Sequence, residues 1–525
     1  MGTNKKWLYA FSALVFAVVL ASCSGSSTDK NANSSEGGSL VIAMSSEIPG
    51  LDPHQINDIP STQVQDQIYE TLVTLNREME LEPVLAKSWE VNENKLTFQL
   101  REGVKFHDGE PFNAEAVKKN IERIMDEQIS SLRAFLFEEI KEINVIDNYE
   151  IEFVTEEPFA PLIYSFAHSG GSMISPAMID ADYEAMKNGE QPFVTVNKNP
   201  VGTGYFKYES GVPGTSAIVL KRNEDYWGEK AKLDSVTFKT VSEGGTRIAE
   251  VFTGDSHVAE PVDISNVSQL EANSDADLLI TDGISASNYG FHVEKEPFDN
   301  PDVRRAIAMA IDNEAILENI MDGYGQIASG PIPPGVFGYD ESIEPIPYDP
   351  EAAKQLLADA GVENLSVKIM TNDNNETRLQ MAEYMQSALG EIGVDVEVVS
   401  QEWATYLEST GNGEHEMFIL GWTSLTGDAD YAMAPLYHTD KAGAPGNRSF
   451  YSNKELDQIL EEAARELDEN KRLALYKKAQ EIAIEELPLV YTTYSQYLNA
   501  VRKEVKDFYR SADGKILLHE TYIEE

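Results

Sequence analysis

The stretch from residue 367 to residue 398 constrains the architecture more than any other. Residues 367–370 are a short apolar run, 376–392 carry apolar side chains at helical spacing, and 394–398 are apolar again. A strand, a helix and a second strand in that order form a crossover unit of the parallel-sheet kind. Helical patterns dominate from Pro301 onward, at 303–309, 313–321, 350–360, 453–467 and 471–485, with a further buried strand at 418–420. Ahead of them the chain is strand-rich: Ile143, Val145, Ile151 and Phe153 alternate, as do 217–221 and 233–241. Val64, Ile68, Leu72 and Val73 have helical spacing, which predicts a helix over 61–75. The class is therefore α/β, and at 525 residues the chain needs two or three domains rather than one core. No internal repeat of solenoid length is present.

The surface chemistry excludes some functions. With 89 acidic against 41 basic residues the net charge is -48, spread along the chain, so a phosphate backbone is repelled and nucleic acid is not a partner. There is no HExxH, no GxSxG elbow and no P-loop, so no enzyme and no cofactor is read. The eight histidines are scattered without metal-ligand spacing, and His107 beside Asp108-Gly109 suits a structural turn. No metal site is expected.

Lys5 and Lys6 precede an apolar run over 7–21, too short to span a membrane, and then Ser22-Cys23. Leu20-Ala21-Ser22-Cys23 looks like a bacterial lipobox. Residues 1–22 then form a lipoprotein signal peptide, and Cys23, the only cysteine, carries the lipid. Residues 23–37 make a polar tether, leaving the protein on the extracytoplasmic face of the cell membrane without a spanning helix.

Residues 421–451, GWTSLTGDADYAMAPLYHTDKAGAPGNRSFY, read as a long loop without helical or strand period for some twenty residues. Loops of that length are usually functional or disordered, and the aromatic content argues against disorder. Both charge signs beside large rings suit the wall of a site that encloses a small zwitterion. Trp422, Thr423, Asp428, Asp430, Tyr431 and Arg448 are its candidate ligand-binding residues.

Six blocks in order carry a family resemblance. They are LAKSWEVNENKLTFQLREGVKFHDGEPFNAEAVKKNIER from Leu85, PVGTGYFKY from Pro200, RNEDYWGEK from Arg222, EKEPFDNPDVRRAIAMAID from Glu294, YDPEAAKQLLADAG from Tyr348 and LYKKAQEIAIEELPLVY from Leu475. They resemble family 5 of the bacterial extracellular solute-binding proteins, the receptors of peptide and nickel ATP-driven importers. The resemblance implies a two-lobed periplasmic-binding-protein fold, class II and peptide-binding type, with an extra third domain and a hinge of crossing strands. It divides the chain into lobe I (38–80, 200–285 and 495–525), an extra domain II (81–199) and lobe II (286–494). It implies a monomer that captures short peptides in the interlobe cleft and delivers them to permease subunits with cytoplasmic ATPases.

A peptide offers an ammonium, a carboxylate and a backbone to recognise, and a carboxylate calls for an arginine fork. Arg378 opens the helix after Asn372–Glu376, where fork and helix N-terminus attract the same anion. The resemblance places a carboxylate-binding arginine at this turn, and offers Trp403, Tyr494, Ser61 and Thr62 as further lining residues. Dipeptide receptors carry an aspartate three positions after the Gly-Trp tryptophan, whereas this chain has Leu425. Asp428 and Asp430 are the replacements in reach. The loop, together with AHSGGSMISP (Ala167–Pro176), looks more like the glutathione-binding branch. A nickel or metallophore receptor of the same family is the alternative; His438 is the only histidine near the loop.

Overall fold

The computed structural model describes residues 37–524 apart from 56–57, 216 and 363–364. The signal segment, Cys23 and all but the last residue of the tether lie outside the described residues.

Two long antiparallel strands, Ala276–Phe291 and Leu489–Arg502, form the middle of an eleven-stranded sheet among the described residues. On one flank lie Val258–Glu260, Ser39–Met44, Ser235–Thr240, Ala217–Arg222 and Phe206–Gly211. On the other lie Met417–Thr423, Ser366–Asn372 and Asp395–Gln401. The two long strands therefore serve both flanks. Their pairing shifts register between Asp282 and Ala286 and again before Asn288, and such bulges bend a ladder. Gly283 sits at the break, where a Cβ would stand 2.6 Å from Ser495 Oγ. A larger residue there would have to turn the Ser495 hydroxyl aside.

The crossover expected at 367–398 is present. Ser366–Asn372 pairs in parallel with Asp395–Gln401 and with Met417–Thr423, joined across Glu376–Glu391. Met381, Ala382, Met385 and Leu389 bury one face of that helix against the sheet. A separate four-stranded antiparallel sheet orders Ala86–Asn92, Lys95–Leu100, Glu150–Thr155 and Ile140–Asp147.

Two readings need correction. The helix expected over 61–75 is Ile59–Ile68; Val73–Leu75 instead pairs as a strand with Leu81–Pro83, its apolar residues two apart. The stretch read as an irregular loop contains the helix Ala429–Tyr437. Its buried residues Ala429, Ala432, Met433, Leu436 and Tyr437 follow the helical period; Pro435 in the last turn obscures it.

The first helix is held in place by a buried ionic knot. Arg123 is fully buried and donates to Asp52 at 2.7 and 3.2 Å and to Asp182 at 2.9 Å. It also donates to His54 Nδ1 at 2.9 Å, so His54 carries its proton on Nε2 and donates to Ser172 O at 3.0 Å. Residues 52–54, which lead into Ile59–Ile68, are thereby fixed to the segment that follows the four-stranded sheet.

A second buried group makes the fold sensitive to acid. His415 lies among His292, Phe418 and Phe450, and burial, then His292 and Lys295, push it down to about 3. Its folded pKa lies below the unfolded one, so its neutral form stabilises fully above about pH 6.5 and loses effect as pH falls toward 3. The slope is at most about 1.4 kcal/mol per pH unit. Melting temperatures measured from pH 7 to 4 should fall, and His415→Phe should flatten that fall; an unchanged slope would contradict the assignment.

Candidate functional site

Three parallel strands deliver their carboxyl ends to one place, where open α/β sheets take ligands. After Ser366–Asn372 comes the helix Glu376–Glu391, its first turn capped by Asn375, which accepts from Arg378 N at 2.9 Å. After Asp395–Gln401 comes Trp403–Gly411, capped by Glu402. After Met417–Thr423 comes Ala429–Tyr437, capped by Asp428.

Arg378 and Trp403 meet at this edge. The guanidinium lies 5.6 Å from the Trp403 ring centroid and donates to Asn372 Oδ1 at 3.0 Å. Trp403 stacks on Tyr406 at 5.9 Å, and Tyr406 donates to Ile419 O at 2.6 Å, so the platform under the arginine is fixed to the sheet. No carboxylate among the described residues pairs with Arg378. Burial holds its pKa below the ordinary arginine value, opposed only by Tyr406. A partly desolvated guanidinium without a countercharge is costly by itself and favours an incoming anion.

Trp422, Thr423 and Tyr431 form a second group. Trp422 Nε1 donates to Tyr431 O at 2.7 Å and the two rings lie 5.4 Å apart. Thr423 Oγ1 lies 2.7 Å from Ser285 Oγ on the crossing strand. Tyr431 also stacks on the exposed ring of Phe135 at 5.8 Å, which brings the 81–199 segment to the same place.

The other candidate residues are engaged within the fold as follows. Asp428 is fully buried, and Arg472 donates to both its oxygens at 2.6 Å, so nothing is left for an ammonium. Asp430 is pushed up to about 7 by burial and by the Asp428 charge, which makes it a weak countercharge at neutral pH. Arg448 is buried and donates to Leu407 O at 2.7 Å and Thr410 Oγ1 at 2.6 Å, clamping the chain onto Trp403–Gly411. The Tyr494 hydroxyl is engaged by Gly330 N at 3.1 Å and Gly330 O at 3.0 Å. Ser61 is buried and accepts from Gly50 N at 3.3 Å, while Thr62 donates to Asp58 O at 2.9 Å. Both hydroxyls are spent on the local fold. His438 caps the turn Thr439–Lys441 and lies 3.5 Å from Glu461. Among the described residues no group of three or more His, Cys, Asp or Glu could hold a metal ion.

Two charged residues that the sequence did not single out have buried polar atoms without a partner. Arg133 is 3 % exposed, its Nε has no partner, and burial pulls it down to about 10 against Tyr431, Asp58 and Asp66. Asp66, on Ile59–Ile68, has a buried Oδ2 without a partner. Burial pushes it up to about 6 against the pull of Lys515, the Ser169 hydroxyl and Arg133. Asp66 lines a cavity of about 310 Å³ with Glu70, Ser169, Tyr226 and Lys515. None of Arg378, Trp403 and Trp422 lines that cavity. The signal in the sequence was slight: Arg133 is a lone base between Leu132 and Ala134-Phe135.

The family described as bacterial extracellular solute-binding proteins, family 5 Middle, matches residues 80–444. The glutathione-binding protein GsiB of Escherichia coli K12 is 32 % identical over 509 residues, spanning 95 % of each chain. The periplasmic binding protein DppA from Helicobacter pylori, an ABC transporter-associated protein solved with the peptide STSA, matches at TM-score 0.79 and 32 % identity. That match covers 93 % of this chain and 98 % of DppA. HbpA2 from Haemophilus parasuis matches at TM-score 0.82 and 28 % identity, covering 93 % of this chain and all of that one. The mixed α/β fold expected from the sequence is the fold of these structures. Such proteins bind a solute and do not transform it. On the extent of these matches, the chain belongs to the bacterial extracellular solute-binding proteins of family 5.

Proposed function

We propose that this protein is the receptor of an ATP-driven importer, holding a short peptide at the carboxyl edge of its parallel strands and releasing it unchanged to the permease. The observation that carries the reading is Arg378: a half-buried fork, fixed by Asn372 and Trp403, with no carboxylate of its own. A free peptide carboxylate fits that vacancy bidentately. Trp422 and Tyr431 supply the apolar wall. The register shift at Asp282–Asn288 supports a hinge between lobes I and II, with domain II reaching the ligand through Phe135. Lipid at Cys23 would keep the receptor, as a monomer, beside its permease. The relatives that bind glutathione and the peptide STSA support a di- or oligopeptide, or glutathione, as the guest.

Isothermal titration of the purified protein tests the reading. Di-, tri- and tetrapeptides, both glutathione redox forms, and nickel with and without histidine are the probes. At least one peptide should bind in the micromolar range or tighter; binding that depends wholly on nickel would overturn the proposal.

A further inference from the structure

None of the residues lining the cavity beside Asp66 comes from 286–494, the segment that carries Arg378. The end of Ile59–Ile68, the turn at Ser169 and the hairpin of Tyr509–Arg510 and Ile516–Leu517 enclose it instead. Gln67 fastens that hairpin to the helix, donating to Ile516 O at 2.8 Å. At about 310 Å³ the cavity has the size of pockets that hold small organic ligands, about 300–1,000 Å³. The charged side chains in its wall are engaged, with one exception. Glu70 accepts from Tyr226 at 2.6 Å and from Trp227 at 2.9 Å. Lys515 pairs with Asp513 at 3.0 Å and donates to Ala167 O at 3.2 Å. Asp507 and Glu520 share Lys232, at 3.9 and 3.1 Å. The Arg77 guanidinium lies 4.3 Å from the centroid of the Tyr509 ring. Asp66 is the exception: its Oδ2 is buried without a partner. Its pKa of about 6 shows that the cations around it do not offset its lost hydration.

Aromatic rings stand in the same wall. Tyr205 and Tyr226 meet edge to face at 5.9 Å, and His519 lies 5.2 Å from Tyr205 and 6.1 Å from Tyr226. Burial, then Asp66 and Glu70, hold the Tyr205 hydroxyl above the ordinary tyrosine pKa, so that ring lies within the field of both acids. A carboxylate without a countercharge and the faces of electron-rich rings together favour an organic cation. A neutral guest would leave Asp66 unpaired. An anion would meet four acidic side chains, Asp66, Glu70, Asp507 and Glu520, against the two basic ones, Arg77 and Lys515. A metal ion lacks its ligand set, since no group of three or more His, Cys, Asp or Glu among the described residues could hold one. We infer that this cavity is a second binding site, for a small organic ammonium ion, with Asp66 receiving the ammonium group and Tyr205 and Tyr226 its carbon atoms. The guest bridges the first helix, the C-terminal hairpin and the 81–199 segment, and it binds independently of a peptide at Arg378.

Calorimetric titrations of the purified protein with butylammonium, hexylammonium and 2-phenylethylammonium, each beside the alcohol of the same skeleton, test the inference. At least one ammonium ion should bind at least tenfold more tightly than its alcohol. Asp66→Asn should remove that preference while the alcohol binds as before. Thr74→Trp, which places a ring in the cavity lining without changing charge, should weaken the ammonium ion at least tenfold, and it locates the site even where Asp66→Asn does not fold. The ammonium affinity should be the same in protein saturated with peptide. Absence of ammonium binding, equal binding of ammonium ion and alcohol, or an affinity that neither substitution alters would overturn the inference. Displacement of the ammonium ion by millimolar potassium or calcium, or by bound peptide, would do so too. Each of these results leaves peptide capture at Arg378 to its own titrations.

Discussion

Arg378→Ala is expected to weaken peptide binding by about 2–5 kcal/mol, roughly thirty- to several-thousand-fold in Kd, the range for removing one side of a desolvated charge pair. The same substitution should leave the empty protein as stable as before, or slightly more so. The guanidinium stands part-buried with no carboxylate to offset its lost hydration. An arginine that served the fold would behave the other way, lowering the melting temperature first and affinity only as a consequence. Arg378→Lys separates charge from geometry, because an ammonium keeps the charge but loses the two-pronged fork and its stacking on Trp403. It should recover only part of the lost affinity. Thermal melts and titrations on the same preparations read both quantities.

Asp428→Ala should do the reverse. It leaves Arg472 buried without its partner, under the rings of Phe337 at 4.9 Å and Tyr476 at 5.2 Å. Breaking a buried pair in this way costs about 3–5 kcal/mol. The lost cap of Ala429–Tyr437, where Asp428 accepts from Asp430 N at 2.9 Å, adds about 1 kcal/mol. Denaturant midpoints should therefore drop sharply, and pairing Asp428→Ala with Arg472→Met should restore a large part. Were Asp428 the receptor for a peptide ammonium, the single substitution would cost affinity at nearly unchanged stability.

The contrast between these two residues shows what local sequence carries. The position of Arg378 was legible because everything that places it is close in the chain: Asn375 caps the helix, Asn372 ends the strand, and the arginine lies in the first turn. Helix limits set by local caps came out within a residue or two, as in Pro350–Asp359 after Asp349. The pairing of Asp428 was not legible because its partner, Arg472, is 44 residues away on another helix. The clamp made by Arg448 was hidden for the same reason, its acceptors lying 41 and 38 residues upstream. Asp66 and Arg133 gave no signal of this kind, since what leaves their polar atoms buried without a partner is set by the tertiary fold. The helix Ala429–Tyr437 was a different kind of miss. Its apolar period was present in the sequence, and Pro435 was given too much weight, although a proline in the last turn removes little from a short helix.

The central claim is that Arg378 holds the free carboxylate of a bound peptide, and a double-mutant cycle addresses it directly. A peptide that binds the unmodified protein and its C-terminally amidated form are titrated against that protein and against Arg378→Ala. The account predicts a coupling of at least about 1.5 kcal/mol between the amidation and the substitution, as for a charge-assisted hydrogen bond. Additive effects, with amidation costing the variant as much as it costs the unmodified protein, would contradict it.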